Sequence, residues 1–261
     1  MNMKTNFHKW TLIILIMVTC YDTKATVLYV RFTANEVVIG TDSKRTAETG
    51  DTVCVCKIFR IGDTFVASAG LAEYGAFDPR EFAEKAMKGS QTLVEARTRF
   101  EQLIEQPLID VLKKLRTKNR DRYEVFKRGA AINMVFVRFN DQPELVASAL
   151  TPKDAPDGSI VLDKHPITLI GDVKRAQRIA VGVSNRAKAL LDRSSFWAKG
   201  AVAGVQHILE ISIEDNREAG TPIDIVQLTK GAVRWFPREP ECDARSRRVN
   251  EKPSTCNSSK H

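Results

Sequence analysis

Between Thr26 and Gly70 four short apolar runs follow one another, each bounded by a turn signal. Val27–Phe32 and Val37–Thr41 flank Ala34-Asn35, and Val53–Ile61 and Thr64–Ala69 flank Gly62-Asp63. That spacing predicts two successive β-hairpins. A chain that opens this way is committed to antiparallel sheet, and the remainder decides what covers it.

After Gly70 the apolar period changes. Pro79–Lys88 and Thr92–Lys118 carry apolar residues at helical spacing, among them Leu93, Ala96, Phe100, Ile104, Leu108, Val111 and Leu115. Asp78-Pro79 supplies an N-cap with proline at the first helical position, and Gly89-Ser90 separates the two helices. Lys113–Arg128 reads as a helix end plus a solvated loop. Strands are then expected at Ala131–Phe139, Glu144–Ser148, Ser159–Asp163 and Ile167–Ile170, with turns at Asn140-Asp141 and Asp157-Gly158. Helices are expected at Val173–Leu191 and Ser195–Asp215. Ile223–Leu228 and Ala232–Phe236 form a closing hairpin through Lys230-Gly231. Strand runs and helix runs are segregated, which argues against a βαβ parallel sheet. The predicted class is α+β: a four-layer αββα sandwich of two antiparallel sheets flanked by helix pairs, in one domain from 26 to 237.

Ahead of this domain, Lys4, His8 and Lys9 precede an apolar run, Trp10–Val18, and Thr23-Lys24-Ala25 offers small residues. This is the pattern of a signal peptide over 1–25, the apolar run being too short to span a bilayer. An uncut membrane anchor and a lipoprotein cleaved at Cys20 are the alternatives. Export places Cys54, Cys56, Cys242 and Cys256 in an oxidising compartment, where packing or disulfide roles are expected rather than nucleophilic ones. Their connectivity is open, and C-x-C without a nearby histidine is a weak zinc signal. The net charge of +8 is partly carried by a polar tail, 238–261, expected to be mobile. Basic residues are not interleaved with aromatics on one face, so nucleic acid is not an expected partner.

The chemistry-bearing residues gather at the front of the domain. If the leader is cut after Ala25, Thr26 becomes the first residue, and a threonine there carries its own base: an α-amine that titrates near 7.7–8.0 beside its hydroxyl. A buried Lys57 held by Asp42 would lower the pKa of that amine and favour the developing alkoxide. The turn Ser68-Ala69-Gly70 at a strand end suits an oxyanion, because glycine lets substrate approach the backbone. Each has a plainer alternative: Thr26 an ordinary strand residue, Asp42 a turn residue, Lys57 a solvent-facing strand lysine. Their conjunction favours a site. His165 and His207 are expected to be structural or surface residues.

Thr26-Val27, the run VVIGTDSKR with Asp42, Lys57 within CKIFRIGD, and ASAGL with Gly70 resemble the proteasome β-subunit-like branch of the N-terminal nucleophile hydrolases. Ser195–Asp215, Glu218-Ala219-Gly220 and IDIVQLTKGAVRWF resemble that family's C-terminal part. The resemblance implies Thr26 as nucleophile and base, Lys57 as the pKa-lowering cation, Asp42 as its partner, Gly70 as oxyanion donor and Asp215 as the aspartate near the threonine. It further implies a peptide or other amide substrate, no cofactor, and assembly of like subunits. Three positions depart from the family. Gly171-Asp172 and Ala219-Gly220 stand where serines support the threonine, and Ala25 stands where active subunits have a glycine. An inert assembly or binding subunit is therefore the rival expectation, and a membrane is a partner only if the leader stays uncut.

Overall fold

The computed structural model describes residues 26–46, 52–71, 74–171, 173–216 and 219–236. The expected leader, the tail, Cys20, Cys242, Cys256, Asp172, Glu218 and the Cys54 side chain lie outside the described residues.

Strands β1 (Leu28–Phe32) and β2 (Glu36–Asp42) form the first expected hairpin, and a short β3 (Lys44–Thr46) follows. The expected strand Val53–Ile61 is divided into β4 (Thr52–Cys54) and β5 (Ile58–Ile61). The reason is a change of partner. β4 pairs with β3, and the Val55 N–H donates to Ser43 O (2.9 Å), whereas β5 pairs with β6 (Thr64–Gly70) through the Gly62 turn.

Helices α1 (Pro79–Met87) and α2 (Leu93–Lys118) start where expected, capped by the Asp78 and Thr92 side chains. Lys113–Arg128 is not a solvated loop. α2 runs to Lys118 and α3 (Arg120–Arg128) begins directly after Asn119, because Tyr123 and Phe126 bury one face among the apolar residues of α2 and the sheet. β7 (Ile132–Phe139) and β8 (Pro143–Asp154) come next. The two expected strands over 159–170 are one, β9 (Ile160–Ile170), held in unbroken register along β8.

The expected helix Val173–Leu191 is mostly not helical. Its first half contains β10 (Gln177–Val181), antiparallel to β1, and only α4 (Asn185–Lys188) is helical in the second. The period there is two: Ile179 and Val181 pack between the sheets, while Ala180 faces the helix layer. A 3-10 turn at Ser194–Trp197 leads to α5 (Ala201–Asp215), so the second expected helix begins six residues later than Ser195. β11 (Ile223–Thr229) and β12 (Ala232–Phe236) close the chain as expected.

Two five-stranded antiparallel sheets result, in the orders β10-β1-β2-β11-β12 and β5-β6-β7-β8-β9. Leu28, Val30, Phe32, Ile39 and Val226 of the first meet Ile58, Phe65, Val135 and Leu145 of the second. The opposite face of the second sheet packs Val66, Ile132, Met134 and Phe136 on Phe100, Ile104 and Leu108 of α2. The opposite face of the first packs Val27, Tyr29 and Val38 on Val205, Ile208 and Leu209 of α5. This is the predicted four-layer α+β sandwich. The alternation that builds it is the strand's own period of two, which gives each strand one face for its sister sheet and one for helices. Gly40 lets α5 approach β2, since a Cβ there would lie 2.5 Å from the Val205 side chain and 2.8 Å from that of Leu209.

Candidate active site

Thr26, Asp42 and Lys57 meet at one end of the gap between the sheets. Thr26 leads into β1, and Asp42 ends the neighbouring β2. Their strands are tied directly: the Asp42 N–H donates to Val27 O (3.2 Å), and the Val27 N–H donates to Asp42 Oδ1 (2.8 Å). Lys57 comes from the other sheet. It stands just before β5, where the Ser68 N–H donates to its carbonyl (3.0 Å), and its side chain crosses to the first sheet.

The Lys57 ammonium donates to Asp42 Oδ1 at 2.9 Å, to Lys44 O at 2.7 Å and to Thr26 Oγ1 at 3.2 Å. An ammonium has three N–H donors, and here each has an acceptor. Asp42 is equally well satisfied, its Oδ2 accepting from the Gly220 N–H at 3.3 Å. The pair is dry, with side-chain exposures of 3% for Lys57 and 0% for Asp42. Burial is the largest influence on both groups. It pushes the Asp42 carboxyl up and the Lys57 ammonium down, while the attraction between them opposes both displacements. The surface-lysine alternative for Lys57 and the turn-residue alternative for Asp42 are thereby excluded.

Gly70 ends β6 with φ +103°, and a Cβ there would lie 2.3 Å from the carbonyl oxygen of Ala131. Backbone conformation and close packing thus demand glycine here independently of any oxyanion. Asp215 ends α5 and pairs with Arg186 at 3.4 Å. Among the described residues neither Gly70 nor Asp215 makes a hydrogen bond to the Thr26–Asp42–Lys57 cluster.

Gly171 follows β9 and leads towards β10, so it does not stand at the head of a helix. The glycine nearest the start of α4 is Gly182. It has φ +65°, and a Cβ there would lie 2.1 Å from Thr26 O. The residue after it is Val183, buried against α5, so no hydroxyl stands at that place either. Ala219 is likewise buried.

Two residues at the site were passed over in the sequence. Asp224 of β11 is buried and accepts a short hydrogen bond from Ser43 Oγ. The signal was an acid at an inward position of IDIVQL, on the face it shares with Val226 and Leu228.

Cys56, next to Lys57, is buried and disulfide-bonded, in line with a packing or disulfide role. His165 and His207 lie on the surface, each beside a carboxylate, Asp163 and Glu210 respectively. Among the described residues no group of His, Cys, Asp and Glu could hold a metal ion, and no helix is long and apolar enough to cross a membrane.

No family model matches the chain, and no curated protein matches it by sequence. Among solved structures it is similar to a mutant form of Anbu from Hyphomicrobium sp. strain MC1. The TM-score is 0.50 and the identity 14%, over 88% of this chain and 100% of that one. The four-layer α+β sandwich is the fold that the resemblance to the N-terminal nucleophile hydrolases implied. At this identity the likeness concerns architecture, and the chemistry rests on the side chains described above.

Proposed function

We propose that the chain is an exported amide hydrolase of the proteasome β-subunit-like kind, using Thr26 as an N-terminal nucleophile. The observation that carries this is the hydrogen bond from the buried Lys57 ammonium to Thr26 Oγ1, made while the same ammonium is held by Asp42. A buried cation aimed at a threonine hydroxyl stabilises the alkoxide that attack requires.

In this mechanism the leader is removed after Ala25, so that the α-amine of Thr26 stands beside its own hydroxyl. The neutral amine takes the Oγ1 proton as Oγ1 attacks the amide carbonyl. Lys57 donates to the oxygen throughout, and the Gly70 N–H faces the oxyanion. The protonated amine then gives its proton to the leaving nitrogen, and water hydrolyses the ester on Thr26 by the same base. Asp215, which pairs with Arg186 at 3.4 Å, takes the part of the aspartate that the family resemblance sets near the threonine. Peptides and other amides are the substrate class, and assembly with further copies of the chain accompanies this reading.

The test is intact mass and N-terminal sequencing of the exported protein, followed by a threonine-directed electrophile. A chain that begins at Thr26 and gains one adduct on that residue is the expected result. A mature chain beginning upstream, or one that Thr26→Ala leaves fully active, overturns the mechanism.

A second reading, an inert assembly or binding subunit of the same fold, is favoured by one observation. The family resemblance leads one to expect serines where the sequence has Asp172 and Ala219, and the glycine before α4 is likewise followed by Val183 rather than a serine. An N-terminal Thr26 that takes no electrophile would select this reading.

A further inference from the structure

Ser43 lies between two of the three acceptors of the Lys57 ammonium. Asp42 provides a carboxylate oxygen on one side and Lys44 its carbonyl on the other. Whatever fixes Ser43 therefore fixes both. Its backbone is held twice: the Ser43 N–H donates to Pro222 O at 2.9 Å, and its carbonyl accepts from the Val55 N–H at 2.9 Å. Its hydroxyl is held a third time, by donating to Asp224 Oδ2.

Asp224 is itself an anomaly in its strand. β11 pairs along β2 with Asp224 opposite Thr41, and Val226 and Leu228 on the same face bury themselves between the sheets. A carboxylate at such a position loses most of its hydration, and the Ser43 hydroxyl replaces part of it.

We propose that Asp224 is a positioning residue for Lys57: through Ser43 it anchors both flanking acceptors, and its own charge is the second negative charge that keeps the ammonium charged in a dry site. This deepens the hydrolase reading and rests on it for its catalytic meaning. The charged groups that act on Lys57 are Asp42 and Asp224, which favour its proton, and Lys44, which disfavours it. Asp42 acts by direct contact, and Asp224 acts through space and through Ser43. The division of labour is physical. One carboxylate alone must both orient the ammonium and outweigh its burial, whereas two let Asp42 orient while Asp224 adds charge.

The test is an NMR titration of Lys57 through its 13Cε signal in the full mature chain, with Asp224→Asn and Ser43→Ala beside the unsubstituted protein. Asparagine keeps the size of the side chain and an acceptor for Ser43 Oγ while removing the charge. The expected result is that D224N moves the Lys57 titration to lower pH, while S43A leaves it near its original place. Hydrolysis by D224N should then fail at lower pH on its alkaline side, and S43A should lower kcat about tenfold through displacement of the acceptors. A Lys57 titration unchanged in D224N overturns the proposal, since a merely structural aspartate would not move it. If the unsubstituted chain takes no electrophile on Thr26, the hydrolase reading fails. The Lys57 titration still decides the role of Asp224.

Discussion

Lys57, just before β5 of one sheet, and Asp42, at the end of β2 of the other, form a 2.9 Å ion pair that ties the two sheets at the candidate site. Neither side chain has appreciable contact with water. Such a pair adds little to stability by itself, because desolvating two charges offsets most of their attraction. Breaking it is another matter, since the remaining charge stays buried.

Lys57→Ala is therefore expected to cost about 3–5 kcal/mol of stability, by stranding the Asp42 carboxylate, as well as abolishing measurable hydrolysis. Urea denaturation and an amide-hydrolysis assay check the two effects separately. A variant as stable as the parent, with unchanged rate and pH profile, would contradict the arrangement.

Thr26→Ala tests the opposite case. It removes one of three acceptors of the ammonium and one small hydroxyl, so a loss of only about 1 kcal/mol is expected. Circular dichroism and thermal melting should be close to those of the parent while hydrolysis disappears.

Two glycines separate packing from conformation. Gly40→Ala places a methyl group against the Val205 and Leu209 side chains, which are able to shift, and should cost about 1–3 kcal/mol by lifting α5 from β2. Gly182→Ala meets the backbone carbonyl of Thr26 in a left-handed conformation. The cost there should be larger, and Thr26 should be displaced. Denaturant midpoints rank the two, and equal stabilities would contradict the distinction.

Asp154 gives a prediction about pH away from the site. It accepts from Lys127 Nζ (2.7 Å), Tyr123 Oη (2.6 Å) and Arg116 (3.2 Å), linking α2 and α3 to the end of β8. The Lys127 hydrogen bond, followed by that from Tyr123, lowers its pKa from 3.8 to about 2. A lowered carboxylate stabilises the fold fully above its ordinary value and loses that contribution as pH falls through the folded one. The window is therefore from pH 3.8 down to about 2. With the side chain 37% exposed, screening keeps the contribution to about 1 kcal/mol or less. A 13C titration of the Asp154 carboxyl, with Asp154→Asn removing the acid-dependent step, checks it.

Much of the sandwich was legible because its strands and long helices carry their own periods. The apolar run Val27–Phe32 between turn signals marks a strand, and the helical spacing from Leu93 to Leu115 names a buried face, without reference to the rest of the chain. The failures fell where a local pattern was shorter than its context. Gln177–Val181 is too brief to display its period beside charged neighbours, and it becomes a strand because the open edge of β1 offers it a partner. Val53–Ile61 looks continuous in sequence, but its two halves pair with different strands.

At the site, Thr26, Asp42, Lys57 and Gly70 could be singled out from residue type and place along the chain. Their side-chain chemistry and the hairpins around them are local properties, and so is the segregation of strands from helices that names the fold. Whether Lys57 faces water or Asp42 is not local, because the contact joins the residue leading into β5 to the end of β2 in the other sheet and depends on how those sheets stack. The same holds for Asp224, set opposite Thr41 only by the pairing of β11 with β2, and for Gly182, set against Thr26 only by the turn out of β10. Hydrogen bonds and buried charge act over a few ångströms in space, whatever the distance along the chain, so only the tertiary structure could decide which of the marked residues meet.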